Sequence, residues 1–158
     1  VSQKRLMEVL EYFPEAGVFV WKKRIGSVSA GDIARNVSDK GYVKIKVDKK
    51  TYAAHRLAFL YMTGRLPTEH VDHINGNRSD FRWENLREAT QGQNNQNLKR
   101  CRVDNKTGFI EVSKIGDRYR ARIKIKKKRV SVGMADSAID AHNLYLEAKR
   151  KIHPFCTI

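Results

Sequence analysis

The clearest alternation of apolar and polar positions runs from Arg118 to Lys126. Tyr119, Ala121, Ile123 and Ile125 share one face of a strand there; Arg118, Arg120, Arg122, Lys124 and Lys126 share the other. The same period of two runs through Tyr42–Val47, with Val43, Ile45 and Val47 facing inward and Lys44 and Lys46 outward. Asp48-Lys49-Lys50 turns that strand into a return at Thr51. A helical period places Leu6, Val9 and Leu10 on one face of residues 3–12, with Ser2 as cap. It places Leu57, Leu60 and Tyr61 on one face of the run Ala54–Gly64, where Gly64 suits a C-terminal cap. Short strands are expected at Val18–Trp21, Thr107–Ser113 and Arg129–Val132, the last ended by Gly133, with Lys127-Lys128 as the turn before it. Asp136 or Ser137 caps a final helix to about Ile152, with Ile139, Leu144, Leu146 and Ala148 as its apolar surface. Residues 22–40, rich in Gly and Ser, read as loop.

Between these flanks lies Val71–Lys99, VDHINGNRSDFRWENLREATQGQNNQNLK. Val71-Asp72-His73 reads as a strand end and Asn75-Gly76-Asn77 as a turn, because Asn and Gly accept positive φ. Trp83–Thr90 reads as the returning strand, and Thr90 as the cap of a helix carrying Asn94. The fold class is therefore α+β. An N-terminal helix and β-hairpin module (1–66) precedes a central strand–loop–strand–helix motif (67–100). A linker (101–106) then leads to a three-stranded antiparallel sheet packed on one helix (107–158).

Composition changes this picture in one direction. The formal net charge is +15 and the pI about 10.0, which points to a polyanionic partner, most often nucleic acid. The charge is uneven. Residues 1–68 hold 13 Lys and Arg against 6 Asp and Glu, residues 69–97 hold 3 against 5, and residues 98–158 hold 16 against 6. Two basic arms thus flank a mildly acidic centre. Five cations on one strand face repel one another, and a polyphosphate would relieve them. Two distant cysteines argue against a disulfide framework or a cysteine zinc site and fit a reducing compartment. No apolar run approaches the ~18 residues of a membrane span, and no signal-peptide pattern opens the chain, so the expectation is a cytoplasmic protein.

The centre supplies the chemistry. A water-activating imidazole beside hard oxygen ligands is the minimum needed to cut a phosphodiester with a divalent metal. Asp72, His73, Asn85 and Asn94 offer that set. Asn95 and Asn97 rival Asn94 as the amide ligand. Arg78, Arg82 and Arg87 either brace phosphates or offset nearby carboxylates. His55 reads as packing or phosphate-contacting, His70 as rim, Trp83 as core, and His142 and His153 have no evident partners.

In this order the residues resemble the HNH endonuclease family, whose site is the ββα-metal fold. GYVKIKV and AAHRLAFLYMTGRLP before VDHINGN, with WENLREAT and QNNQN after it, are similar to phage- and intron-encoded homing endonucleases. NKTGFIEVS, RYRARIKI, VSVG and AIDAHNLYLEAKRKIHP resemble the ethylene-response-factor-type (APETALA-like) DNA-binding domain often appended to them. Phe81 stands where the family usually has a loop-bracing asparagine, Glu111 at a frequent glycine and Ala135 at a frequent aromatic.

The resemblance implies roles residue by residue. His73 would be the general base and Asn85 would hold the loop or orient His73. Asp72 and Asn94 would bind one Mg²⁺ (or Mn²⁺) per active site. Lys44, Lys46, Arg118, Arg120, Arg122, Lys124 and Lys126 would meet double-stranded DNA. The expected protein is a phage- or intron-encoded nuclease acting in a bacterial host, a monomer or a dimer assembled on DNA, with no membrane partner and no small-molecule cofactor. A monomer with one site would nick. The rival readings are a non-enzymatic DNA-binding protein or decayed nuclease using the same arms, and an RNA-binding basic protein.

Overall fold

The computed structural model describes residues 1–98, 101 and 103–157. Lys99 and Arg100 at the end of the central motif, Arg102 in the expected linker and Ile158 lie outside the described residues. Two compact units emerge, residues 1–94 and 95–158.

The first unit opens with α1 (Gln3–Val9), capped by the Ser2 side chain, which accepts from the Arg5 amide at 3.2 Å. The helix is shorter than its apolar pattern suggests. Leu10 leaves helical backbone and starts β1 (Leu10–Phe13), which pairs antiparallel with β2 (Val18–Trp21). Leu6, Val9 and Leu10 are buried as expected, but a strand pairing rather than a third helical turn satisfies the Leu10 backbone. The loop that follows carries a short strand, β3 (Asn36–Val37), which the pattern leaves unmarked. It edges the sheet β3-β4-β5, built on β4 (Val43–Val47) and β5 (Lys50–Ala53). β4 alternates as its sequence predicts, with Val43, Ile45 and Val47 buried and Lys44 and Lys46 exposed. Its hairpin turn is two residues long, Asp48 and Lys49, both at positive φ (47° and 66°).

β5 runs directly into α2 (Ala54–Thr63), ended by Gly64 in the left-handed conformation (φ 77°). Leu57, Ala58, Phe59 and Leu60 are buried against α1 and the sheets. Arg56 pins the descending segment, donating to the carbonyls of Glu69 and Pro67, each at 2.8 Å. Glu88 holds the same segment by accepting from Arg65 and from the Thr68 amide (2.8 Å). The chain is thereby aimed into β6 (His70–His73), which pairs with β7 (Leu86–Ala89). The returning strand is shorter than Trp83–Thr90, because residues 83–85 form one turn of 3₁₀ helix first. After β7 comes α3 (Gln91–Gln96), with the Thr90 hydroxyl accepting from the Gln93 amide at 3.2 Å.

Phe81 joins an aromatic cluster with Tyr12 and Phe19, and its carbonyl accepts from the buried Tyr12 hydroxyl. Phe81 is an apolar anchor of the loop in the core. Gly17 marks a second close approach. At φ 63°, a Cβ there would lie 2.5 Å from the Arg82 amide nitrogen, and Trp83 donates to the Pro14 carbonyl at 2.9 Å. The β1–β2 turn therefore butts against the loop closing the central hairpin.

The second unit holds a sheet ordered β10-β9-β8 and one helix. β8 (Val112–Ile115) starts later than Thr107–Ser113 would place it, since residues 107–111 form turns. Glu111 sits at φ 55° and meets Arg129 at 3.1 Å. β9 (Arg118–Ile125) ends one residue before Lys126. Lys126 and Lys127 form the turn at positive φ, and Lys128 already belongs to β10 (Lys128–Ala135). Lys126 is thus a turn residue rather than a member of the strand's cationic face. Gly133 does not end β10. It follows a bulge, and a Cβ there would lie 2.8 Å from Leu144 of α4 (Ala138–Ile152), so glycine permits the helix to approach. Ser137 caps α4, accepting from the Asp140 amide at 3.0 Å. The buried stripe of α4 is Ala141, Tyr145 and Lys149, with Leu144, Leu146 and Ala148 partly buried beside it; Ile139 is exposed. Lys149 is nearly fully buried because its ammonium donates to the Leu98 carbonyl at 2.9 Å and lies over the Tyr145 ring. Among the described residues no helix is long and apolar enough to cross a membrane.

Candidate active site

Antiparallel register on the β6–β7 hairpin sets Asp72 opposite Arg87 and His73 opposite Leu86. Asp72 and His73 are each 5% exposed. Two Arg87 donors, Nε at 3.0 Å and Nη2 at 2.8 Å, reach the same Asp72 oxygen, Oδ2. A carboxylate this buried requires a counter-charge, and Arg87 provides one. Of the three arginines left open by the sequence, Arg87 and Arg82 offset carboxylates. Arg82 binds Asp80 and Glu84, whereas Arg78 lies over the Tyr42 ring, 5.0 Å from its centroid, and donates to the Lys40 carbonyl.

Asn85 is buried at the end of the 3₁₀ turn. Its Oδ1 accepts from the Asn75 amide at 2.9 Å. Its Nδ2 donates to Asn75 Oδ1 at 3.0 Å and to the Asp80 carbonyl at 2.8 Å. Its carbonyl accepts from Ile74. One amide side chain thus closes the 74–80 loop immediately after His73. Asp80 completes the brace, accepting from Asn75 Nδ2 at 2.7 Å and from Arg82, and these donors hold its carboxyl down at about 2.

His73 has a neighbour that sequence reasoning missed. His55, in the first turn of α2, meets it edge to face with ring centroids 5.0 Å apart, and the Tyr42 ring lies 5.6 Å from His55 and 6.1 Å from His73. Burial pushes His55 down to about 3, helped by the charges of His73 and Arg56. Burial also lowers His73, while Asp72 and Asp80 pull the other way and Arg78 adds to the lowering. The outcome is an imidazole held neutral, the form that accepts a proton. The signal for His55 was only a histidine at a helix start; its partner is set by tertiary packing.

Asn94 lies half-buried in α3, with its backbone amide donating to the Thr90 carbonyl at 2.9 Å. Asn95 is exposed. Asn97 is buried, and its Oδ1 accepts from the Thr157 hydroxyl at 2.7 Å within the second unit. His70 is exposed, as expected of a rim residue, and Trp83 packs on Phe59 at the core margin. The available donors are one carboxylate and side-chain amides. That set suits a hard, oxygen-seeking divalent cation that keeps coordination positions open for other ligands. Among the described residues no three His, Cys, Asp or Glu side chains gather into a ready-made metal cluster.

The cationic positions divide between the two units. Lys44 and Lys46 floor a depression of about 400 Å³ on the outer face of β4, walled by Asn36–Asp39 and Thr51. In the second unit Arg118 is exposed and pairs with Asp136 at 2.8 Å. Lys124 is exposed, and Arg120 and Arg122 are half-buried. The Nε atoms of Arg120 and Arg122 are sealed from solvent and make no hydrogen bond.

Residues 52–96 match the model of a family described as HNH endonuclease. The match takes in the end of β5, then α2, the β6–β7 hairpin and α3, and includes His55, Asp72, His73, Asn85 and Asn94. Residues 52–96 are thus similar to an HNH endonuclease domain. A solved structure titled "DNA binding and cleavage by the HNH homing endonuclease I-HmuI" aligns with 55% of this chain and 49% of that one, at 25% identity and a TM-score of 0.43. The alignment covers about half the length of that protein. No curated protein matches the chain.

Proposed function

We propose that the chain is a magnesium-dependent DNA endonuclease of the homing type that nicks one strand as a monomer. The observation that carries this reading is His73, a buried imidazole held neutral beside the Asp72 carboxylate, inside the matched domain.

His73 accepts the proton of the attacking water. Asn85 fixes the loop behind His73, so the imidazole keeps one orientation through proton transfer. His55 and Tyr42 close its other sides and exclude bulk water. Asp72, oriented by Arg87, and Asn94 would hold one Mg²⁺ or Mn²⁺. Such an ion would supply Lewis-acid chemistry for phosphodiester hydrolysis. Lys44 and Lys46 in the first unit grip DNA phosphates. In the second unit, read as an ethylene-response-factor-type module, Arg118, Arg120, Arg122 and Lys124 face the duplex, with Lys126 reaching from the adjoining turn. Double-stranded DNA is the partner, and a phage or intron gene expressed in a bacterial cytoplasm is the setting we favour.

A supercoiled plasmid incubated with and without magnesium tests the reading. Open-circle product that requires magnesium, and that falls by roughly 10²–10⁴ in rate for His73→Ala, supports it. Equal nicking by wild type and His73→Ala would sink the general-base assignment.

A further inference from the structure

We infer that Arg87 makes cation binding at Asp72 conditional on DNA, so that the metal and the DNA load together. The inference rests on the nuclease reading above and adds how its site is regulated.

Asp72 is the one carboxylate in the proposed ligand set, and it is buried. Its charge is already matched by the Arg87 guanidinium, whose Nε and Nη2 both donate to Oδ2. Arg87 therefore places a positive charge directly against the carboxylate. The surrounding acidic residues do not restore the balance. Asp80 carries Arg82, Glu84 shares it, and Glu88 carries Arg65. Four of the five acidic residues in 69–97 thus sit in ion pairs with arginine, Asp80 and Glu84 sharing one. A divalent ion approaching Asp72 meets a carboxylate already paired with a guanidinium. An isolated carboxylate would attract it far more strongly, because a buried charge interacts through a low dielectric.

A scissile phosphate changes that balance. It brings negative charge and oxygen ligands to the same place, and it offers the guanidinium a second anion. The two ligands should then bind with positive coupling, each strengthening the other by the same factor. The arrangement would keep the general base from acting on water near a loaded metal until DNA is seated.

The test uses the full chain in a His73→Ala background, which keeps the DNA intact, and Mn²⁺ as the probe. Bound Mn²⁺ is measured by the loss of the free-ion paramagnetic resonance signal, with and without a random-sequence duplex, after subtracting Mn²⁺ held by the duplex alone. The expected result is weak binding to the DNA-free protein and affinity raised about tenfold by DNA, within the usual range of coupling factors. Arg87→Gln should bind Mn²⁺ about tenfold more tightly without DNA and show less gain when DNA is added. Arg87→Lys, which keeps the charge, should behave as the parent. A merely structural role for Arg87 predicts the opposite sign, weaker Mn²⁺ binding in Arg87→Gln. Equal Mn²⁺ affinity of the parent with and without DNA overturns the inference without any Arg87 variant having to fold, and leaves the nuclease reading standing. No Mn²⁺ bound in either condition overturns both.

Discussion

The imidazoles of His55 and His73 meet edge to face, 5.0 Å between ring centroids and 85° between their planes. Burial of His55 at this contact gives the chain a pH-dependent stability. His55 is held neutral in the folded state, with its pKa pushed from 6.5 to about 3, chiefly by burial. Between those values the unfolded chain binds the extra proton, so stability rises with pH there. The contribution is complete above 6.5 and is lost as pH falls toward 3, with a slope of up to about 1.4 kcal/mol per pH unit. Urea unfolding at pH 7 and pH 5 checks it. His55→Gln should lose about 2 kcal/mol less than wild type over that interval. Equal losses would mean that His55 is already solvated or protonated in the folded chain.

Asn85 closes the loop behind His73 through one accepted and two donated hydrogen bonds. Asn85→Ala would leave the Asn75 amide without its partner and remove both donated bonds. We expect a destabilisation of about 2–3 kcal/mol, given that one buried unsatisfied group costs about 1–3. Asn85→Asp preserves the shape and one acceptor but puts a carboxylate against Asn75 Oδ1 and the Asp80 carbonyl, so it should be no better than Ala. Thermal unfolding measures the first effect, and plasmid nicking at a temperature where both variants remain folded measures loop positioning. An Asn85→Asp protein as stable as wild type would contradict the donor assignment.

Gly17 acts on the same loop from the other side. Its left-handed backbone and its closeness to the Arg82 amide leave no space for a side chain. Gly17→Ala should cost about 1–3 kcal/mol, from the unfavourable φ together with the displacement of Arg82. Because Arg82 and Trp83 lead into Asn85, the variant should also slow nicking at temperatures where it remains folded. A melting temperature unchanged from wild type would show that the β1–β2 turn does not brace the central hairpin.

What was legible in the sequence was local. Period-two alternation marks β4 and β9 because each strand buries only one face. Asn75-Gly76-Asn77 announces its turn through backbone chemistry alone, and Gly64 and Ser137 mark helix ends for the same reason. The misses are positions where partners distant in sequence decide. The end of α1 at Val9 reflects the pairing of Leu10 with Trp21. Gly133 looked like a strand end because its reason for being glycine, Leu144, lies on another element. In the site, Asp72 and His73 could be singled out from residue type and spacing. Arg87 could not be assigned to Asp72 without the hairpin register, and His55 could not be joined to His73 without the packing of α2. Lys149, buried among apolar neighbours, runs against any charge-outside rule and is held there by the Leu98 carbonyl and the Tyr145 ring.

The cationic face of β9 offers a separation of grip from chemistry, and the structure shapes how to make it. Arg120 and Arg122 have Nε atoms sealed from solvent, and these two residues pair across the sheet with Ser113, Met134 and Ser131. Substitution by Glu would bury part of a carboxylate and confuse lost binding with lost folding, so Gln at both positions is the cleaner change. If these guanidinium groups neutralise phosphates, the double variant should bind plasmid DNA more weakly. The slope of log affinity against log salt should flatten by about 2, one for each phosphate that is no longer neutralised. Magnesium-dependent nicking should return to within about threefold of wild type once enzyme saturates the DNA, because the proposed base and metal ligands lie elsewhere. Filter binding across a salt series and single-turnover nicking at saturating enzyme provide the two readouts. An unchanged salt slope would remove the second unit's sheet from the DNA interface. A flattened slope with nicking abolished at saturation would mean instead that seating of this sheet is required for the cut itself.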